Sequence, residues 1–317
     1  MPLLDPAVGY FLAIYDTGSV NAAARRMFVA NSAVSRQISR LERELSTVLF
    51  DRLSTGMVPT EAGKAFAAYA RRILADTDGI EAELHSRAVT RAKISVAAVD
   101  GVVHSLLPQV CASYHRAYPE SQIRLVRAAP AQVSGLVRDG SVDVGVTYNI
   151  SLATDVVVRF SQEATLQAVM SKDHPLSTLG SVSVRQIAQY PLALSLPTST
   201  SRALIEAYAS THLIPIEPIF EIDDPAAVIE FVAATDAVTV LNPLTISAND
   251  RERVGVVPIR EPELRQRTLQ VQCHARRSIS PALEAFIDSL VTTISARADP
   301  TSHAGFMSAA DRPSTHP

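Results

Sequence analysis

The first sixty residues place apolar side chains at helical intervals between short polar turns. In residues 31–45 the apolar positions are four, three and four residues apart, at Val34, Ile38, Leu41 and Leu45. This is the spacing of a helix with one buried face. Ser19 can cap a shorter helix that follows it, and Asn31 or Ser32 can cap this one. Two short helices with a tight turn between them, the second polar and basic outside, predict a helix-turn-helix over residues 20–39.

A pair of short strands and a long helix are predicted next. Residues 49–59 form two short runs around a Ser-Thr-Gly turn, which is typical of a small wing. From residue 60 toward residue 90, seam positions recur at alternating intervals of four and three, at Phe66, Ala70, Ile73, Thr77, Ile80 and Leu84. A seam over about 30 residues, or roughly 45 Å of helix, favours a dimerising rod between domains. An ordinary core helix is the alternative.

Beyond residue 94 the pattern changes to short apolar runs that alternate with helical ones. The predicted strands are residues 94–99, 122–127, 142–147, 192–196, 219–222 and 238–241, and the helices are residues 103–118, 131–139, 201–212 and 225–234. This alternation predicts parallel sheets with crossover helices. Ligands bind such sheets at the carboxyl ends of strands, near helix N-termini. Residues 297–317 are rich in Ser, Ala, Pro and Gly, which favours a disordered tail.

Composition and charge narrow the class of protein. A chain of 317 residues with 47% hydrophobic and 19% charged residues predicts two or three globular domains. The net charge is −3, and residues 1–60 hold six basic and five acidic residues. Any DNA binding must therefore come from a few well-placed arginines. The sequence predicts no secretory signal and no membrane span. Cys111 and Cys273 lie far apart without CxxC spacing, so a cytoplasmic protein is expected.

The sequence lacks the common motifs for catalysis and nucleotide binding. No GxGxxG follows the first strand, and the chain contains no GxxxxGK[ST], GxSxG or HExxH motif. We therefore expect a protein that is not an enzyme and that needs no cofactor or metal.

Several short motifs resemble the N-terminal signature of the LysR-type transcriptional regulators. They lie within the first 65 residues and are YF at 10–11, GSV at 18–20, AA at 23–24, AVSRQI at 33–38, LE at 41–42, LFDR at 49–52 and TEAG at 60–63. A looser similarity continues in LP at 107–108, YP at 118–119, DVG at 143–145, DHPL at 173–176 and SPA at 280–282. The order and spacing of the first set make the resemblance specific.

The resemblance implies an α/β multidomain fold and a regulatory function. It implies a winged helix-turn-helix DNA-binding domain, a linker and dimerisation helix, and an effector-binding domain that resembles periplasmic binding proteins, at residues 1–60, 61–90 and 91–296. The two α/β lobes of the last domain would be residues 91–162 with 267–296, and residues 163–266. The implied partners are double-stranded DNA with a dyad-symmetric operator, a small-molecule effector (anions among the candidates) and further copies of the chain in a homodimer or homotetramer. No membrane is implied.

The N-terminal end of the recognition helix is where such helices meet base edges. The candidate DNA-binding residues are Asn31, Ser32, Ala33, Ser35, Arg36, Arg40 and Arg52. An arginine paired bidentately with guanine contributes ~1–3 kcal/mol of discrimination, whereas Ser35 and Arg40 suit backbone phosphates. The family usually has Ser-Gln-Pro where this chain has Ala30-Asn31-Ser32, and because Asn pairs well with adenine, we expect an altered base preference. The alternative is a solvated face on which Arg40 and Arg43 pair with Glu44 and Glu42.

Three segments are expected to converge on an effector pocket, namely residues 100–105, 147–149 and 198–202. The candidate effector-binding residues are Asp100, Val102, His104, Ser105, Thr147, Ser199, Thr200, Ser201 and Asn242. The hydroxyls of residues 199–201 stand beside the free N–H groups of a helix start, which favours an anion. The alternatives are plain N-capping by these residues and a surface position for His104.

Two other functions remain open. In the first, oxidation of a cysteine is the signal for a DNA-binding regulator, which would require the thiols of Cys111 and Cys273 to meet. In the second, the chain is a solute-binding module, or an enzyme on that scaffold, with a helical N-terminal extension. The helix-turn-helix pattern argues against the second alternative.

Overall fold

The computed structural model describes residues 5–54, 56–84, 92–149, 156–275, 279–297 and 304–305. The chain divides into two compact units. The first comprises Met1–Ala88, Asp139–Ser141 and Arg276–Ser280, and the second comprises Val89–Arg138, Val142–Ala275 and Pro281–Pro317. No helix among the described residues is long and apolar enough to cross a membrane.

In its described part the first unit has four helices and a two-stranded wing. The helices are α1 Pro6–Thr17, α2 Val20–Arg26, α3 Asn31–Glu44 and α4 Glu61–Leu84, and the wing consists of β1 Phe50–Leu53 and β2 Gly56–Pro59. The Ser19 hydroxyl accepts a hydrogen bond from the backbone N–H of Ala22 and caps α2, as predicted. Helices α2 and α3 form the helix-turn-helix, and β1 pairs antiparallel with β2.

Helix α3 begins too early for Asn31 or Ser32 to cap it. Its N-cap is Ala30, whose side chain accepts no hydrogen bond, and Asn31 and Ser32 already lie in the first turn. The prediction that one of these two residues caps the helix is therefore wrong. The cause is that Ala30 already has the extended backbone of an N-cap, at φ −72° and ψ 143°, so the helical backbone has started by Asn31.

The inward stripe predicted for α3 is correct for three of its four members. Val34, Ile38 and Leu41 are buried, whereas Leu45 is 43% exposed. The reason is that α3 ends at Glu44, and Leu45 is its C-cap outside the packed face. The remaining three residues hold α3 against α1 and α2, because all three helices share one apolar core.

Aromatic rings join α1, the wing and α4. The ring centroid of Phe11 on α1 lies 5.0 Å from that of Phe50 in β1 and 4.8 Å from that of Phe66 in α4. Ala67 and Ala70 of α4 are also buried in this core. The first half of α4 thus packs within its own unit. Its predicted continuation over residues 85–90 lies outside the described part of the chain.

The second unit alternates strands and helices. Its described helices are α5 Asp100–Ser105, α6 Leu107–Ala117, α7 Pro130–Arg138, α8 Val184–Ile187, α9 Thr200–Thr211, α10 Pro225–Ala233 and α11 Pro281–Arg297. Its strands are β3 Lys93–Ala98, β4 Gln122–Arg127, β5 Val144–Asn149, β6 Val156–Glu163, β7 Gln167–Ser171, β8 Leu192–Leu194, β9 Pro218–Glu221, β10 Thr239–Leu241, β11 Val254–Pro258, β12 Thr268–His274 and β13 Ala304–Gly305.

The strands form two lobes, and the sheet of the larger lobe is mixed. One lobe has the sheet β13-β6-β12-β5-β3-β4, and the other has the sheet β10-β7-β11 with the pair β8-β9 beside it. Strand β3 is parallel to β4 and β5, but β12 is antiparallel to both β5 and β6, and β7 is antiparallel to β10 and β11. The predicted parallel pairing is confirmed for β3 with β4 and β5 and for β8 with β9, whereas each antiparallel pair described in the two lobes contains β6, β7, β11 or β12, which lie outside the predicted strands. The chain leaves the larger sheet after β6 and returns to it in β12, which runs in the opposite direction to β6.

The single helix predicted over residues 103–118 is two helices. Helix α5 ends at Ser105, and α6 begins at Leu107 with Pro108 in its first turn. Proline has no backbone N–H and clashes with the preceding turn inside a helix, so it is tolerated only near a helix start. The break makes α5 a separate short helix, and the start of this helix lines the cavity described below.

The smaller lobe packs apolar side chains on both faces of its sheet. Successive residues of a strand point to opposite faces, and along β7 Ala168 and Met170 join one buried cluster while Val169 joins the other. The lobe is thus a three-layer structure, with its sheet between two apolar layers.

Candidate functional site

The N-terminal half of α3 presents a polar outer face. Asn31, Ser32 and Arg36 are exposed, and Ala33 and Ser35 are half-buried. Because the opposite face of the helix is buried in the core of the unit, these side chains lie on its outer side. The arrangement matches that of a recognition helix, in which N-terminal residues meet base edges.

Arg36 is available to a partner. Its Nε donates a hydrogen bond to the carbonyl oxygen of Ser32 at 3.2 Å, and within the described residues no carboxylate pairs with its guanidinium. Asn31 donates from Nδ2 to Oδ1 of Asn21 at 2.6 Å, which links α3 to α2. The Asn31 side chain therefore has an intramolecular partner that base recognition would have to replace.

Arg40 already has acidic partners. It forms an ion pair with Asp5 and a longer one with Glu44, with 3.7 Å between Nε and Oε1. The hydrogen bond from the Ala7 N–H, together with the charge of Arg40, lowers the pKa of Asp5. The alternative of a paired surface face thus holds for Arg40 and Glu44. Glu42 instead accepts the backbone N–H groups of β1 and the residue before it, at 3.3 and 2.8 Å.

Arg52 lies on the wing. It is an exposed residue of β1, opposite Met57 of β2. The side chain of its neighbour Leu53 is 56% exposed. Arg52 is thus the basic residue that the wing can offer to a phosphate backbone.

The second unit contains a cavity of about 100 Å³ between its lobes. By the same measure a single water needs roughly 10–15 Å³, so the space suits a small organic molecule. From the larger lobe it is lined by the start of α5, the β4–α7 loop and the end of β5. From the smaller lobe it is lined by the β8–α9 loop, the start of α10 and the end of β10. The lining residues are Val99, Asp100, Gly101, Ala128, Ala129, Pro130, Tyr148, Ser195, Thr198, Ser199, Thr200, Ser201, Asp223, Pro225, Leu241, Asn242, Thr245 and Arg267.

The N-terminus of α9 brings three hydroxyls to this cavity. Ser199 accepts a hydrogen bond from the Arg202 backbone N–H at 3.2 Å and caps the helix, so the capping alternative holds for this residue. Its Oγ also lies 3.2 Å from Oγ of Ser201. Thr200 Oγ1 accepts a hydrogen bond from Nη1 of Arg267 at 3.1 Å. Polar groups and the positive end of a twelve-residue helix therefore meet at one wall.

Arg267 is buried in the same wall. Only 3% of the residue is exposed, and its guanidinium carbon lies 4.2 Å from the ring centroid of Tyr148. Its Nε donates to the carbonyl oxygen of Ala164 at 3.4 Å, while Nη2 has no partner among the described residues. Burial lowers the pKa of Arg267 to about 10 and raises the pKa of Tyr148 to about 12. At neutral pH the guanidinium is therefore charged and the phenol neutral.

Asp100 and Asn242 line other parts of the cavity. The Asp100 carboxylate pairs with Nη1 of Arg127 at 3.0 Å, and burial is the main reason that its pKa is raised. Asn242 accepts the Leu244 N–H on Oδ1 at 2.9 Å and donates from Nδ2 to the Thr165 carbonyl at 3.0 Å. These bonds fix the Asn242 side chain at the end of β10.

Four of the predicted effector residues do not line the cavity. Val102 is fully buried in the apolar core, and His104 is exposed and does not line the cavity. The Ser105 hydroxyl donates to carbonyl oxygens, one of them that of Gly101 at 2.7 Å. Thr147 is buried within the sheet, because successive residues of β5 alternate between faces and Tyr148 takes the cavity side. The predicted segments do meet at the cavity, but neighbours of these four residues, such as Gly101 and Tyr148, line it instead.

Sequence patterns missed the most buried charged group of the site. Arg267 precedes β12 near the predicted return between the lobes, a place where helical and strand periodicity give no signal. A lone arginine just before an apolar strand was the only available sign. Arg267 reaches the cavity only because β12 pairs with β5 in the folded protein.

The described residues hold no group of three or more His, Cys, Asp or Glu side chains that could bind a metal ion. Cys273 is buried in β12 and Cys111 is half-buried on α6, and they form no disulfide. Burial raises the pKa of the Cys111 thiol, which opposes formation of the reactive thiolate.

Comparisons with known proteins agree with both halves of this description. The family model for a bacterial regulatory helix-turn-helix protein of the lysR family matches residues 7–64, and the LysR substrate binding domain matches residues 87–295. The nitrogen assimilation regulatory protein nac of Escherichia coli K12 is 28% identical, over 90% of this chain and 93% of the relative. A probable nitrogen assimilation transcriptional activator of Synechocystis is 27% identical, over 73% of this chain and 76% of the relative.

Solved structures show the same fold. A full-length OxyR variant from Pseudomonas aeruginosa superposes with a TM-score of 0.71 at 20% identity, covering 91% of this chain and 93% of that one. Full-length CbnR in complex with its target DNA superposes with a TM-score of 0.55 at 19% identity, covering 90% and 98%. With an N-terminal winged helix-turn-helix and a two-lobed ligand-binding domain, each matched by its own model, the chain belongs to the LysR family of DNA-binding transcriptional regulators.

Proposed function

We propose that the N-terminal half of α3 lies in the major groove of operator DNA. Asn31, Ser32, Ala33 and Arg36 would face base edges. Ser35, Arg40 and Arg52 would contact phosphates. The observation that carries this assignment is the exposed Arg36 without a carboxylate partner, on a helix whose other face is buried. The ion pair of Arg40 with Asp5 is at the surface and contributes about 0–1 kcal/mol, so a phosphate can displace it.

Replacing Arg36 by alanine tests the assignment. We expect Arg36→Ala to lose about 1–3 kcal/mol of specific operator affinity, because a bidentate contact to guanine is removed, with an unchanged melting temperature. Electrophoretic mobility shifts on the DNA upstream of its own gene measure the loss. Arg43→Ala is the matched control, because Arg43 is exposed in the last turn of the same helix. Equal affinities of wild type and Arg36→Ala would disprove the role.

We also propose that the cavity between the lobes binds the effector, through Asp100, Ser199, Thr200, Ser201, Asn242 and Arg267. What supports this is the convergence of buried polar groups from both lobes on one space of ligand size. A ligand that contacts both lobes favours one arrangement of them over another. A coupling of about 1–3 kcal/mol between cavity and operator is enough to change occupancy of the DNA.

We propose that the chain works as a homodimer or homotetramer joined through α4. A dyad-symmetric operator requires two recognition helices related by a two-fold axis, and the long helix after the wing is the natural connection. The domain limits 1–60, 61–90 and 91–296 remain part of this proposal. Since its target is chromosomal DNA, we place the protein in the cytoplasm.

Regulation rather than catalysis is the function that the fold and its cavity favour. The rival in which cysteine oxidation is the signal is weaker, because Cys273 is buried and burial raises the pKa of Cys111. An enzyme on the same scaffold would need nucleophile and base in contact. The hydroxyls of the cavity instead cap α9 or contact Arg267.

A further inference from the structure

Arg267 is a buried cation whose charge the protein leaves unbalanced. Its described contacts are a carbonyl oxygen, the Thr200 hydroxyl and the ring of Tyr148, and none of them is a carboxylate. One of its nitrogens, Nη2, has no partner among the described residues. A buried charge is costly unless it is paired and hydrogen-bonded.

A second buried arginine in the same unit shows the usual solution. Arg202 is 6% exposed, and its guanidinium pairs with Glu206 and Glu221, both at 2.6 Å. The fold thus supplies two carboxylates where an arginine has only a structural role. Arg267 differs because it lines the cavity, where a ligand can supply the missing charge.

The groups around Arg267 favour an anion rather than a neutral molecule. The N-terminus of α9 directs its partial positive charge to the same wall. The hydroxyls of Ser199, Thr200 and Ser201 add donors and acceptors there. A carboxylate matches the planar fork of a guanidinium with two parallel hydrogen bonds.

Acidic side chains line another part of the cavity. Asp100 and Asp223 both border it, and the charge of Asp223 acts on Asp100, whose own partner is Arg127. Asp223 would repel a second carboxylate on the ligand there, whereas a hydroxyl or ammonium group would find acceptors. The cavity is therefore polarised between a cationic wall and an acidic border.

We infer that the effector is a small monocarboxylate with a hydroxyl or ammonium group, and that its carboxylate pairs with Arg267. This inference rests on the proposed role of the cavity and adds its chemical class. Arg267 is the residue that decides between acids and their uncharged analogues, and the acidic border disfavours dicarboxylates.

The test is a thermal-shift titration of the full-length chain with L-lactate, L-alanine, lactamide and succinate at constant ionic strength. At least one of L-lactate and L-alanine should raise the melting temperature, and which of them does so identifies the donor group. Lactamide and succinate should not. Arg267→Met should weaken binding of the active acid about 10- to 100-fold, because hydrogen bonds to a charged group are lost. Arg265→Met is the matched control, since Arg265 is exposed outside the cavity.

The inference is overturned if neither acid stabilises the wild type, if lactamide stabilises it as strongly, or if Arg267→Met keeps the response. If Arg267→Met does not fold, Arg267→Lys replaces it in the test. This variant retains the charge without the planar fork, so it should bind the active acid more weakly than wild type but more tightly than a variant without the charge. If lactamide binds in competition with a cavity ligand, the effector is not restricted to anions, but the proposed role of the cavity stands. Failure of the cavity itself would appear separately, as operator binding insensitive to every stabilising compound.

Discussion

At the scale of single residues, the recognition helix starts without a side-chain cap. Ala30 holds the N-cap position with an extended backbone, at φ −72° and ψ 143°, that a serine adopts equally well. In Ala30→Ser the hydroxyl can accept an N–H of the first turn, so we expect a gain of about 0.5–2 kcal/mol in unfolding free energy. Urea denaturation measures it. Ala30→Gly is the control, and no gain over wild type in the serine variant would contradict the cap geometry.

His174 gives stability a dependence on pH. Its Nδ1 accepts the Leu176 N–H at 3.1 Å, and its Nε2 is buried without a partner among the described residues. Burial lowers the pKa of His174 below 6.5, against an opposing influence of Asp236. The unfolded state therefore binds the proton more readily, so stability is present above about pH 6.5 and is lost as the pH falls below it.

Replacing His174 tests this sign. The Oδ1 atom in His174→Asn can still accept the Leu176 N–H, but the side chain does not titrate. We expect the variant to lose less unfolding free energy than wild type between pH 7.5 and pH 5.5, values about one unit to either side of the unfolded pKa. Chemical denaturation at both pH values measures the difference. His104→Asn, at an exposed position, should follow wild type. Parallel curves for His174→Asn and wild type would count against a buried neutral histidine.

At the scale of elements, α5 approaches the turn Pro243–Thr245 closely enough to require glycine. A Cβ atom on Gly101 would lie 2.1 Å from Cγ2 and 2.7 Å from Cβ of Thr245. We expect Gly101→Ala to cost about 1–3 kcal/mol through overpacking and to weaken ligand stabilisation, since both residues line the cavity. Thermal melts of the full chain measure both effects.

A double-mutant cycle identifies the cause. Thr245→Gly removes both clashing atoms, so Gly101→Ala combined with Thr245→Gly should lose less than the sum of the single changes. Gly180→Ala is the control, because nothing lies within 4 Å of a Cβ at that position. Simple additivity in the cycle would show that the contact between α5 and the turn is not responsible.

The helices of this protein and the parallel direction of β3, β4 and β5 are more predictable than its antiparallel strands, for a physical reason. The buried residues Val34 and Ile38 predict their helix because the spacing of apolar residues in a helix is visible within a short stretch of sequence. The antiparallel direction of β12 depends on its return from the smaller lobe after about a hundred residues, which no local pattern records. Arg267 escapes prediction likewise, since its contact with Thr200 joins positions 67 residues apart. The hydroxyls at the start of α9 were predictable, because capping signals are local.

At the scale of the whole molecule, the protein combines two sites of different chemistry. The exposed face of α3 needs a few arginines to meet DNA in a chain of net charge −3. The cavity needs a ligand to complete its buried polar wall. Ligand and operator can influence each other only if each prefers the same arrangement of the assembled protein, and such coupling is reciprocal.

The most direct test of that coupling is operator affinity measured by fluorescence anisotropy during titration with each compound that raises the melting temperature of the full-length chain. We predict that at least one compound changes the operator Kd by about 5- to 150-fold. We also predict that Arg36→Ala weakens specific binding by about 1–3 kcal/mol with or without the compound. An operator affinity that stays constant across every stabilising compound would contradict control of DNA binding from the cavity.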